Sequence, residues 1–133
     1  MSIVRTIHGE LRWVIAIVAI IVLVKFAIGW LGKREYQSID RTLLVVFTSL
    51  LDINLLLGLV LLFTMGISGA ARLEHAVTMI LAVIAAHLTA LWRNLDDSTI
   101  KYRNQFLMVL VSVILLILGV MRIRMALYGL GFF

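Results

Sequence analysis

Few residues of this chain can do chemistry, and several of them stand inside long apolar runs. Lys25 interrupts the run from Trp13 to Leu31, Asp52 and Asn54 fall within that from Thr42 to about Met65, and His75 and His87 lie near the two ends of that from Leu73 to Trp92. His8 stands just before the first run. An ionisable side chain near the middle of a membrane costs roughly 2.5–3.5 kcal/mol on insertion scales, so each needs a partner or a purpose. Asp52 is about 15 Å into its run at helical rise, with Thr48 and Ser49 within about 60° of it and Asn54 about 160° away. A carboxyl at that depth is either a protonated, hydrogen-bonded packing residue or a proton carrier or counter-ion. Lys25 and His87, about 10 and 8 Å from the same membrane boundary, share one half of the bilayer. A Lys25–Asp52 pair with His87 as third member would relieve the desolvation of all three. The simpler fate for Lys25 is to snorkel to the interface without a partner.

His8 and His75 belong to the opposite boundary. His75 shares a helical stripe with Met79, Ala82 and Ala86, and small residues at that spacing mark a close-packed face, so the ring is expected to point into the bundle. His87 is about 18 Å further along the same run and cannot share a metal with it. Two histidines from facing helices can ligate a b-type haem without covalent attachment, with Arg5, Arg12 and Arg72 available for its propionates. The plainer alternative has His75 bonded to Glu74, to a backbone carbonyl or to headgroups. One histidine alone can also hold the magnesium of a chlorophyll-type pigment.

These residues need elements that hold them in lipid. Of 133 residues, 63% are apolar and 14% charged, with mean hydropathy +1.13, against about 45–50% apolar and about 25% charged in a soluble domain. No soluble fold of this length hides such an excess, which rules out a water-soluble enzyme with its own cleft. The fourth run, Gln105 to Met121, carries no charge. Each run is long enough to cross about 30 Å of hydrocarbon as a helix, and helices satisfy their own backbone there. Runs such as Val14–Val24 lack the alternation of a β-barrel. The first run has no small-residue cleavage site after it and reads as a retained helix. The expectation is an all-α, four-transmembrane-helix, up-down-up-down bundle forming one integral membrane domain over 1–133, with spans at 13–31, 42–65, 73–92 and 105–121.

The connections are short. Gly66, Ser68 and Gly69 supply a turn, and the polar break at Asn94, Asp96, Asp97 and Ser98 offers a cap for the fourth helix. Both termini then share one side of the membrane. Six basic residues on the opposite side against five on the terminal side give a slight lean towards termini outside. The apolar ending Tyr128–Phe133 suits the headgroup boundary or a partner. Net charge is +5, but the basic residues flank apolar runs, which fits lipid headgroups and not nucleic acid. Cysteine is absent, so disulfides, iron–sulfur clusters and covalent haem are excluded. No acid, base and nucleophile converge, and no phosphate-binding glycine loop or metalloprotease motif occurs.

Four segments, Ile7–Trp13 (IHGELRW), Gly29-Trp30, Leu55–Gly58 (LLLG) and Glu74-His75, occur in this order. In them the chain resembles a group of small bacterial four-helix membrane proteins labelled b-type-cytochrome-like. The resemblance implies a bacterial inner-membrane location and makes His8 and His75 the motif histidines. The group has a histidine six residues before the glycine of the second span; Asp52 stands there in this chain, which leaves His8 with His75 as the remaining pair of haem-iron ligands. The function expected is a haem-binding or accessory subunit of a membrane electron-transfer complex, without independent catalysis. Two alternatives stand beside it. One is a non-catalytic assembly subunit, able to bind pigment, within a larger complex; the other is a proton- or cation-conducting homo-oligomer using Asp52.

Overall fold

The computed structural model describes residues 2–65 and 69–129. They form four long helices: α1 (Ser2–Leu31), α2 (Ser38–Met65), α3 (Ala70–His87) and α4 (Ser98–Tyr128), with a 3-10 segment, Leu88–Trp92, continuing α3. All four, α3 taken together with its 3-10 extension, are long and apolar enough to cross a membrane. The helices outrun the apolar runs at several ends. Polar residues can extend a helix beyond hydrocarbon, so His8 lies within α1 and Lys101 within the first turns of α4.

Neighbours in sequence pack together and α1 also packs on α4, which closes a four-sided ring with α1 opposite α3 and α2 opposite α4. Side-chain contacts fix the alternation of direction. The end of α1 meets the start of α2 through Lys25 and Asp40, and the start of α3 meets the end of α4 through Glu74 and Arg122. Fully enclosed Val22, Phe26, Phe47, Ala82, Ala86 and Val109 fill the centre. Ala82 and Ala86 lie on the stripe expected to face inward, and their small size lets α4 approach closely enough for the Ser112 hydroxyl to donate to the Ala82 carbonyl at 2.8 Å. Ile17, Ile20, Val24, Phe63 and Leu118 face outward, as a lipid-facing surface requires.

Local chemistry sets the helix ends. Arg34 N–H donates to the Gly29 carbonyl at 2.9 Å and Lys33 N–H to Trp30 at 3.3 Å, a Schellman closure of α1 with Lys33 at φ 51°, where glycine is usual. Asp40 reaches back to accept from Gln37 N–H at 2.9 Å, half of a capping box for α2. Asp97, within the polar break anticipated as a cap, accepts from Ile100 N–H at 3.2 Å. Of the expected turn at Gly66, Ser68 and Gly69, the first two lie outside the described residues, as do the last four residues of the apolar ending.

Candidate functional site: a histidine pair at the terminal end

His8 and His75 come together. Their ring centres are 6.5 Å apart and their planes perpendicular, although they sit on diagonally opposed helices. Each is fixed by a carbonyl of the helix beside it. His8 Nδ1 lies 3.0 Å from the Asn54 carbonyl of α2, and His75 Nδ1 lies 3.1 Å from the Gly119 carbonyl of α4. The sequence explains the first contact. A carbonyl in a helix is overhung by the side chain four residues on, and for Asn54 that residue is Gly58; a Cβ there would stand 2.8 Å from His8 Cε1. Gly119 acts on the α3–α4 seam, since Thr78 and Met79 occupy the space its side chain would fill and α3 thereby closes on α4.

A carbonyl oxygen only accepts, so Nδ1 of each ring must carry the proton and Nε2 the lone pair. Among the described residues no hydrogen bond reaches His75 Nε2, and the His8 ring has the Asn54 side chain beside it as well as the Asn54 carbonyl. Histidine ligands of metals are commonly held in this way, with one nitrogen on a carbonyl and the other on the metal. Imidazole nitrogens bind metals at about 2.0–2.1 Å, which puts two trans rings on one ion roughly 6–6.5 Å apart between centres. The pair has that spacing. Among the described residues no third histidine or carboxylate joins it into a metal-holding group. A bare transition metal would therefore lack ligands, whereas haem iron brings its macrocycle and asks only for axial ones.

The polar surroundings agree with that donor set. Among the described residues, three buried side-chain atoms lack a hydrogen-bond partner: Arg12 Nε, Asn54 Oδ1 and Arg124 Nε. All belong to this end of the bundle. Arg12 is one turn beyond His8, and its terminal nitrogen donates to Gly9 at 2.7 Å while Nε stays idle. Buried guanidinium nitrogens without acceptors are donors for an anionic group such as a propionate. Arg12 was among the arginines expected near a haem; Arg124 was not. Glu74, offered as a partner for His75, instead pairs with Arg122 at 2.7 Å.

The other polar residues separate into two sets. Lys25 neither snorkels freely nor meets Asp52: its ammonium lies 2.5 Å from Asp40, whose carboxylate is fully buried. The α1–α2 loop folds Asp40 back towards α1, whereas Asp52 is three turns further along α2 and out of reach. Tyr102 O–H also donates to Asp40 at 2.5 Å and contacts the Glu35 carbonyl at 3.2 Å. Beside them Tyr36 O–H donates to Gln105 at 2.6 Å, and the Gln105 amide donates to the Thr89 carbonyl at 3.0 Å. Burial first, then the Asp40 charge and the neighbouring Tyr102, raise the Tyr36 phenol well above the ordinary tyrosine range. It therefore remains a donor.

Asp52 pairs with His87 across the α2–α3 seam, His87 Nε2 being 2.8 and 3.1 Å from the two carboxylate oxygens. Both side chains are about half exposed on the outside of the bundle, at 48% and 50%. Sequence reasoning missed Asp40, Tyr36, Tyr102 and Gln105. The one available signal was the position of Asp40 three residues after Gln37, where a carboxylate caps a helix start. No family model, curated protein or solved structure matches this chain.

Proposed function

We propose that the chain holds a b-type haem between His8 and His75 and serves as a small electron-transfer subunit of a larger complex in a bacterial inner membrane. One observation carries the reading: two rings from opposite helices, each with Nδ1 committed to a carbonyl, lie 6.5 Å apart, a spacing at which both would be able to hold one haem iron. Bound haem would supply one-electron transfer through its iron. The residues do the rest. The Asn54 and Gly119 carbonyls fix the tautomer and ring angle, which would hold both imidazoles ready for the iron. Arg12 and Arg124 offer donors to the propionates, and the apolar bundle keeps bulk water from the metal. Membership in a larger complex is supported by the Asp52–His87 pair, because a half-exposed polar pair on a lipid-facing surface is relieved by a neighbouring chain.

The test is an absorption spectrum of protein produced with ample haem and gently solubilised. A Soret band is expected, and His75→Ala should abolish it while helical content is retained. A colourless preparation, with no haem found by mass spectrometry, would overturn the reading.

A further inference from the structure

The opposite end of the bundle carries a feature that the histidine pair does not use and that Tyr36, Gln105 and Thr89 of the buried network help to line. A groove opens between α2, the 3-10 segment and α4, and three cationic side chains line it: Arg41, Arg93 and Lys101. Helix geometry brings them together. Arg41 and Thr48 are two turns apart on one face of α2, while 3-10 winding eclipses residues three apart and so aligns His87, Ala90 and Arg93 on one line. Lys101 enters from the start of α4, its ammonium 3.9 Å over the Tyr36 ring. Among the described residues no carboxylate lines this groove, and neither Arg41, Arg93 nor Lys101 takes part in an ion pair. Leu44 and Val45 make its wall apolar on the side that continues into the hydrocarbon-facing surface of α2.

Three cations outside the ion pairs of the described residues, above an apolar wall at the level where helices leave the membrane, fit an amphiphile with a negatively charged head. We infer that this groove binds the headgroup phosphate of an anionic phospholipid, with Arg41, Arg93 and Lys101 as donors and Thr48 as a hydroxyl partner deeper in the groove. The acyl chains would run along α2 over Val45. Arginine suits this role because its planar fork bonds two phosphate oxygens at once, and lysine adds a compact charge. The site is independent of haem: it lies at the other end of the molecule and shares no residue with the histidine pair.

Native mass spectrometry of the whole protein in neutral detergent tests it, with phosphatidylglycerol, phosphatidylcholine and soluble glycerophosphate added in separate arms. Phosphatidylglycerol should be retained in preference to phosphatidylcholine, and glycerophosphate should not be retained. The triple variant Arg41→Gln/Arg93→Gln/Lys101→Gln should weaken retention roughly 100-fold, and Arg93→Gln alone roughly fivefold. The control Lys33→Gln/Arg34→Gln, which removes two charges at the same membrane boundary outside the groove, should retain the lipid like wild type. Circular dichroism establishes that each variant is folded, and the single variant carries the test if the triple one is not. Equal losses in control and groove variants would reduce the effect to general surface charge and overturn the site. Retention of glycerophosphate as tight as that of phosphatidylglycerol would overturn the assignment to a lipid.

Discussion

The two ends of this bundle treat buried polar groups in opposite ways. At the loop end Asp40 accepts from Lys25, Tyr102 and the Gln37 amide, and Tyr36, Gln105 and Thr89 form a chain in which donors meet acceptors. At the terminal end two histidines expose one nitrogen each, and Arg12, Asn54 and Arg124 keep buried atoms without partners. A closed network within an apolar bundle stabilises one arrangement of helices. A set of unpaired donors beside two lone pairs costs stability unless something completes it. The comparison sets a closed structural network at one end against an open polar set at the other, the end where we propose that haem binds.

The comparison breaks most sharply at Asp40. Asp40→Ala strands a lysine and a tyrosine, and removal of one partner from a buried pair costs about 3–5 kcal/mol. The lower part of that range is expected because Lys25 is 35% exposed. Thermal unfolding in detergent should show this loss, while haem-loaded protein that survives keeps its spectrum. A glycine at each end gives a matched pair. A Cβ at Gly29 would stand 2.5–2.7 Å from three atoms of the Tyr102 ring, which Asp40 and Glu35 hold in place. Gly29→Ala should therefore destabilise by about 2 kcal/mol through overpacking. Gly58→Ala meets only the movable edge of His8. Its stability should change by no more than about 1 kcal/mol, since alanine also favours the helix, but haem retention should fall because His8 is displaced. If the two alanine variants behaved alike in both measurements, the division between the ends would fail.

The smallest effects concern Tyr36. Tyr36→Phe leaves Gln105 without a donor and should cost about 0.5–1.5 kcal/mol in the same unfolding measurement. The neutral phenol is the form favoured by folding. Its contribution is complete below the unfolded value of about 10 and is lost only as pH rises through the higher value of the folded protein. An alkaline ultraviolet titration of wild type minus Tyr36→Phe should show no phenolate from Tyr36 near pH 10. Ordinary titration there would mean that the network is open.

Much of this architecture is legible in the residues themselves. Apolar length fixes four helices, short connections fix their alternation, and the stripe of His75, Ala82 and Ala86 faces the interior. The meeting of His8 with His75 follows from their shared boundary once the helices alternate. Pairing is less legible. For Lys25 the sequence offered Asp52 or the interface, and hydropathy does not tell that Asp40 folds back to it. The carbonyls that orient the histidines are also silent in sequence, because every residue has one; only Gly58, four residues after Asn54, marks a carbonyl left uncovered. Arg124 gave no signal beyond lying near the end of the last run.

Electron paramagnetic resonance of haem-loaded protein tests the central claim most directly. Both histidines on one iron predict a low-spin ferric signal of the strongly anisotropic kind that perpendicular imidazole planes produce, converted to high spin by either His8→Ala or His75→Ala. A haem that is absent, or that remains low-spin in both variants, would contradict the account.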